Sequence, residues 1–287
     1  DQERSFPEMD RSLGRVALAG IAVVTALVLL SNRNSGVSLE SRRVLAAAPE
    51  GWGALSGQIM LTGTLPEVPP LIRKNDPKAK DAAVCAAHDV PDDSLVVDPK
   101  SGGLQNVFVY LRRKPSQIHP DLASSKKKEI VFDQLGCRFV PHCLAVRLDQ
   151  TLLLASSDKV SHNTNIQGGP FGAINQLIPP GAKSIEFKFK RRAPVPVPVA
   201  CNIHPWMKAW ILPMDHPYFA VTDKNGRFSI PQLPAGEHEF RIWQERVGYV
   251  NDPDQAIMGR KWTVTIEPGK TKEVTLKLEA STFASDS

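Results

Sequence analysis

The stretch CNIHPWM, residues 201–207, places a cysteine, a histidine and a methionine at successive intervals of three residues. Cys201, His204 and Met207 can each bind a soft metal ion, through a thiolate, an imidazole and a thioether. The spacing therefore predicts a metal-binding loop. The alternative is that Cys201 is a disulfide partner or a buried thiol, since the chain contains four cysteines.

A fourth donor stands upstream, in SSDKVSHNTN (156–165), where His162 precedes Asn163. Two imidazoles, one thiolate and a weak axial thioether form the ligand set of blue copper sites. The sequence therefore predicts one copper ion held by His162, Cys201, His204 and Met207.

The remaining chain is dominated by strand patterns. NVFVYLRR (106–113) is rich in β-branched and aromatic residues, SIEFKFK (184–190) alternates apolar with charged residues, and KWTVTIEPGKTKEVTLKLE (261–279) reads as a hairpin. APVPVPVAC (193–201) contains three prolines, which exclude a central strand and predict an edge strand or an extended approach. Residues 71–93 are predicted to be a loop with one helical turn. We therefore expect an all-β chain.

Residues 114–216 resemble a cupredoxin, a Greek-key β-sandwich that binds copper. The Cys-x2-His-x2-Met spacing resembles the short ligand loop of amicyanin, and the Ser-Asp-x3-His-Asn pattern resembles the strand end that carries the first histidine in plastocyanin and amicyanin. The resemblance implies imidazole ligands from His162 and His204, the thiolate of Cys201 and the axial sulfur of Met207.

The resemblance also implies roles for the neighbours of these ligands. Asn163 would steady the cysteine loop by hydrogen bonding, and His204 would lie exposed at the loop end as the port for electrons. Trp206 would help to exclude water from the copper or form part of a docking surface, with ordinary packing as the alternative.

A second resemblance concerns TDKNGRFSIPQLPAG (222–236), which is similar to the carboxypeptidase-regulatory-like, prealbumin-type β-sandwich. SGQIML and NVFVYL would supply the preceding strands of that family. The resemblance implies a host sandwich of residues 54–113 plus 217–280, into which the cupredoxin domain 114–216 is inserted. Residues 281–287 would be a tail.

The N-terminal region carries an apolar run in RVALAGIAVVTALVLL (15–30), in which fifteen residues from position 16 onward are uncharged. The run is short for a membrane-spanning helix and follows two arginines, as in an export signal. We predict that residues 1–53 are an apolar helix and a tether. A cleaved signal and an uncleaved membrane anchor remain alternatives, and both place the protein in the periplasm or another compartment outside the cytoplasm.

An exported chain is expected to form disulfides. If Cys201 binds copper, we favour a Cys85–Cys137 disulfide that joins the insert to its host, with Cys143 as a buried strand residue. Cys85–Cys143 is the alternative. We interpret His142 as a core or surface histidine.

These features predict an electron carrier that exchanges single electrons with a redox protein, and not an enzyme. The alternatives are a non-redox copper carrier, a structural or interaction sandwich, and a copper oxidoreductase with a second, all-histidine copper. The chain has no H-E-x-x-H or G-x-S-x-G motif and no evident substrate pocket. The formal net charge is only +5, with no nucleic-acid motif, so we expect no nucleic acid partner.

Overall fold

The computed structural model describes residues 50–283 of the chain. The predicted apolar helix and most of its tether lie outside the described residues. Within residues 50–283, no helix is long and apolar enough to cross a membrane. The predicted all-β class is confirmed, because strands dominate the described chain and its single α-helix is four residues long.

The described chain begins with β1 (Trp52–Thr62), α1 (Ala82–Cys85) and β2 (Phe108–Leu111). A central block follows: β3 (Glu129–Gln134), β4 (Phe139–Val140), β5 (Cys143–Arg147), β6 (Thr151–Leu154), β7 (His162–Gln167), β8 (Ala173–Ile178), β9 (Ile185–Phe187), β10 (Val197–Ala200) and β11 (Lys208–Met214). The chain ends with β12 (Phe219–Val221), β13 (Arg227–Pro234), β14 (Gly236–Gln244), β15 (Gly248–Tyr249), β16 (Ile257–Met258), β17 (Lys261–Ile266) and β18 (Thr271–Glu279). Short 3-10 turns lie at Pro120–Leu122, Gly169–Phe171, Pro253–Gln255 and Ala280–Phe283.

The first and last blocks of strands form two sheets that we call the flanking sandwich. One sheet has the order β13-β1-β18, and the other has the order β12-β2-β14-β17-β16 with β15 beside β14. Strand β17 shows why they pack, since Trp262, Val264 and Ile266 alternate with exposed polar residues and point into the core. The opposite sheet contributes Leu55 and Ile59 of β1 to the same core.

The central block forms a second pair of sheets, which we call the central sandwich. Their orders are β5-β11-β10-β7-β8 and β4-β3-β6-β9. Phe132 and Phe139 stack at 5.3 Å in one sheet, and Ile166 and Ile211 of the other sheet belong to the same core. Among the described residues, strands of the central sandwich pair only with one another. The predicted domain boundaries themselves stay a prediction.

The prediction that residues 193–201 form an edge strand or an extended approach, and not a central strand, was wrong. Strand β10 lies between β11 and β7. Its pairing with β11 covers Pro198, whereas its pairing with β7 includes only Val199 and Ala200. The proline therefore sits where β10 has a neighbour on one side only, and its missing N–H group does not interrupt a second ladder.

The 71–93 segment leaves the flanking sandwich and packs against the central one. It contains the predicted helical turn, α1, whose last residue Cys85 is buried in the core of the central sandwich. The favoured disulfide is confirmed, because Cys85 is bonded to Cys137. Cys143 is a free, buried thiol.

Candidate metal centre

Two antiparallel strands bring the donors together. His162 is the first residue of β7, and Cys201 follows the last residue of β10. Since Ala200 pairs with Asn165 and Val199 with Ile166, the start of β7 and the end of β10 meet at one end of the sheet. The loop that follows Cys201 returns to β11 and carries His204 with it.

The three nitrogen and sulfur donors lie in a buried cluster. One ligand atom from each of His162, Cys201 and His204 lies within 4.8 Å of the others. The Nδ1 atoms of the two imidazoles are 2.9 Å apart, and the Cys201 sulfur is 3.9 Å from the Nδ1 of His204. None of the three residues is more than 1% exposed.

A carboxylate holds the outer nitrogen of each imidazole. The Nε2 of His162 donates to Asp158 at 2.9 Å, and Asp158 also accepts the backbone N–H groups of Gly136 and Cys137 at 2.7 and 2.8 Å. The Nε2 of His204 donates to Asp81 at 2.9 Å. These bonds place a proton on each Nε2 and direct both Nδ1 atoms inward.

The predicted exposure of His204 was wrong. Its relative exposure is 0%, because the 71–93 segment lies over the ring and Asp81 occupies its outer nitrogen. The segment is fixed there by the Cys85–Cys137 disulfide, four residues beyond Asp81. The side chain of Asp81 is 39% exposed and that of His204 is 0% exposed. Asp81 therefore lies between the outer nitrogen of the imidazole and solvent.

Asn163 bridges β7 and the ligand loop. Its side-chain oxygen accepts the backbone N–H groups of Asn202 and Ile203 at 2.7 and 3.3 Å. Its own backbone N–H points at the Cys201 sulfur at 3.5 Å, and its side-chain amide donates to Asn175 at 2.7 Å. Asn163 therefore occupies the bracing position that the sequence predicts.

Met207 and Trp206 close the loop from the other side. Met207 is buried, and its backbone accepts from Cys201 at 3.1 Å and donates to the His204 carbonyl at 2.9 Å. The indole N–H of Trp206 donates to the Cys137 carbonyl at 3.2 Å, and its ring lies 5.0 Å from that of His204. Met207 thus lies in the same buried loop as Cys201 and His204, and Trp206 packs against the ring of His204.

The pKa values of the two histidines are shifted in opposite directions. Burial opposes protonation of His162, but hydrogen bonds with Asp158 and Cys201 raise its pKa to about 9. For His204, burial outweighs the bond to Asp81 and lowers the pKa. Burial would raise the pKa of Cys201, yet its hydrogen bonds with His162 and backbone N–H groups lower it. The cluster therefore favours a thiolate beside a cationic partner.

The donors fit a copper ion. Two inward Nδ1 lone pairs 2.9 Å apart repel each other unless a proton or a metal ion lies between them. Two imidazoles and a low-pKa thiol suit a soft or borderline transition metal.

Sequence reasoning missed the two carboxylates. Asp158 stands four residues before His162, so its spacing offered a signal. Asp81 is 123 residues from His204 and lies in a segment predicted to be a loop, so no local pattern marks its contact.

No known family profile matches the chain, and no curated protein matches it. Among solved structures, it is similar to a copper-containing nitrite reductase from Thermus scotoductus SA-01, at 18% identity and a TM-score of 0.27, over 30% of this chain and 22% of that one. It is similar to a mutant of amicyanin, at 18% identity and a TM-score of 0.27, over 32% of this chain and 87% of that one. It is also similar to a purple cupredoxin from Nitrosopumilus maritimus, at 18% identity and a TM-score of 0.25, over 30% of this chain and 99% of that one. At these TM-scores, the similarities assign no residue role.

Proposed function

We propose that the chain is a type 1 copper protein that transfers single electrons. The observation that carries this proposal is the buried pair of facing Nδ1 atoms beside the sulfur of Cys201. His162, His204 and Cys201 would hold the ion, with Met207 as the axial donor. Copper in such a ligand set supplies reversible one-electron exchange between Cu(II) and Cu(I).

The protein groups around the donors support fast exchange. Asp158 and Asp81 fix the ring orientations of the two histidines, and Asn163 fixes the loop that carries Cys201. Because these groups are already placed, the donors need little rearrangement when charge changes. Burial of all three donors also argues against an open site from which a carrier would hand over copper.

The test compares the two free thiols of the purified chain. After addition of Cu(II), we expect an intense thiolate-to-copper absorption band and the electron paramagnetic resonance signal of a type 1 site. Cys201→Ser should abolish both, whereas Cys143→Ser should retain both. A colourless wild-type protein, or colour that survives Cys201→Ser, would overturn the proposal.

We further propose that the protein works outside the cytoplasm, held at a membrane or released by cleavage, and exchanges electrons with a redox protein. The apolar run in residues 15–30 and the Cys85–Cys137 disulfide support this location. Fractionation of expressing bacterial cells tests it, since the 287-residue chain should be found with the periplasm or the membrane. Recovery in the cytoplasm with reduced cysteines would contradict it.

A further inference from the structure

A second group of metal-binding side chains lies at the junction of the two sandwiches. Cys143 is the first residue of β5 in the central sandwich, His142 precedes it, and Glu245 follows β14 of the flanking sandwich. One ligand atom from each of these three residues lies within 4.8 Å of the others. They share no residue with the His162 cluster, so the group is a separate site.

These side chains are withdrawn from solvent. The side chains of His142 and Glu245 are 9% and 12% exposed, and Cys143 is buried. The Nε2 of His142 is in close contact with a carboxylate oxygen of Glu245. An imidazole, a carboxylate and a thiol buried together incur a desolvation cost, and a shared cation would offset it.

Burial and the negative charges of Glu245 and Asp93 raise the pKa of Cys143, so a bound cation is needed for its sulfur to become a thiolate. Trp210 of β11 is the register partner of Cys143 in the sheet. Its buried indole Nε1 has no hydrogen-bond partner among the described residues. Buried donors are normally satisfied, so the strand beside Cys143 carries a polar group that the protein leaves unpaired.

One side of the group faces open space. His142 and Glu245 line a cavity of about 340 Å³, and Trp206 and Met207 of the ligand loop line the same cavity. Three protein donors beside a cavity leave room for a further ligand on the metal, such as water or a small molecule.

We propose that His142, Cys143 and Glu245 bind a second divalent transition-metal ion of the zinc class. Nitrogen, sulfur and oxygen donors together suit a borderline ion better than a hard cation such as Mg²⁺. The ion joins the two sandwiches, since two ligands come from one and the third from the other. The proposal does not depend on the copper site.

Cobalt(II) tests the site because it substitutes for zinc and gives a thiolate charge-transfer band. The test protein is the metal-free Cys201→Ser chain, in which Cys143 is the remaining free thiol. We expect one equivalent of Co(II) to bind with a thiolate band, and Zn(II) to displace it. Adding Cys143→Ser should remove the band.

A second measurement guards against variants that fail to fold. Glu245→Gln in the Cys201→Ser background keeps the size of the side chain and should weaken Co(II) binding at least tenfold, with an unchanged circular dichroism spectrum. Zn(II) should raise the melting temperature of the Cys201→Ser chain, and raise it less after Glu245→Gln. A folded Cys201→Ser chain that gives no thiolate band with Co(II) and no shift with Zn(II) would overturn the proposal. Absence of a blue copper band in the wild type would not change the Co(II) and Zn(II) results, so each proposal can be contradicted without the other.

Discussion

The two histidines of the candidate metal centre are held by carboxylates that differ in burial and in their position along the chain. His162 and His204 each donate from Nε2 to a carboxylate at 2.9 Å. The partner of His162 is Asp158, four residues away in the same sandwich and only 5% exposed. The partner of His204 is Asp81, which is 39% exposed and belongs to the distant 71–93 segment.

Cys137 connects these two sides. Its backbone N–H donates to Asp158, its carbonyl accepts from Trp206, and its sulfur is bonded to Cys85 of the 71–93 segment. The His162 side is therefore part of the core, whereas the His204 side is a cover that is bonded covalently to that core at Cys137. Substitutions on the first side should cost folding free energy, and those on the second should chiefly affect the site.

The largest effect is expected from Asp158→Ala. The change leaves the Nε2 of His162 and the N–H groups of Gly136 and Cys137 without their buried acceptor. We expect the free energy of unfolding of the metal-free chain to fall by about 3–5 kcal/mol in guanidinium denaturation. The control is Asp254→Ala at an exposed position, which should change it by less than about 0.5 kcal/mol. Similar losses for both variants would show that the His162 side is not part of the core.

Removal of the disulfide by Cys85→Ala with Cys137→Ala should have the next largest effect. The bond closes a loop with a sequence separation of 52. Loop-closure entropy predicts a loss of about 4 kcal/mol in unfolding free energy. Limited proteolysis should also cut the 71–93 segment of this variant sooner than that of the oxidised wild type. Wild-type protein with a reduced disulfide should be cut as fast as the variant. Unchanged proteolysis would mean that other contacts fasten the cover.

A third buried histidine, His216, can be compared with His162 and His204, because no carboxylate hydrogen-bonds to it in the described chain. The ring of His216 accepts the backbone N–H of Tyr218 at 3.2 Å. Burial lowers the pKa of His216 to about 4, with opposing charge from Asp215 and reinforcing charge from Arg192 and Lys114. The pKa of His162 is raised beside the buried carboxylate of Asp158, whereas burial prevails and lowers the pKa both of His216 and of His204, whose partner Asp81 is partly exposed.

The pH dependence follows from that shift. Below about pH 6.5 the unfolded chain takes up a proton at His216, whereas the folded chain does not do so until about pH 4. Acid therefore favours unfolding, and the wild type should lose roughly 3 kcal/mol between pH 7 and 4 through this group. The His216→Asn variant retains an acceptor for the N–H of Tyr218. Its unfolding free energy should fall by roughly 3 kcal/mol less than that of the wild type over the same pH range. Equal acid sensitivity in guanidinium denaturation would contradict the assignment.

Whether a feature could be predicted from sequence depends on how far apart along the chain its residues lie. The alternation in KWTVTI marks the buried residues of β17 because neighbouring side chains point to opposite faces. The donors of the ligand loop are visible since they stand within seven residues. The Asp81–His204 and His142–Glu245 contacts span 123 and 103 residues. Such contacts arise from tertiary packing, which also buried His204 against expectation, and no local pattern encodes them.

The smallest effect on stability is expected from Asp81→Asn, on the cover side. Asp81 adopts φ 54° and ψ 42°, a left-handed conformation that asparagine also tolerates, so the backbone should not change. Because the carboxylate is partly exposed, the unfolding free energy of the metal-free chain should fall by less than about 1 kcal/mol.

Copper affinity should nevertheless fall by about tenfold, because the amide orients His204 less firmly and makes its ring less basic. Competition with a chelator of known affinity measures this change. The matched control is Asp89→Asn, an acid of the same segment that bonds the backbone of Lys74 and no histidine. If Asp81→Asn costs several kcal/mol in stability, or if both variants bind copper equally well, the cover does not act on the site through Asp81. A small loss of stability with a tenfold loss of copper affinity would instead indicate that the 71–93 segment acts on the site through His204, the proposed copper ligand that it covers.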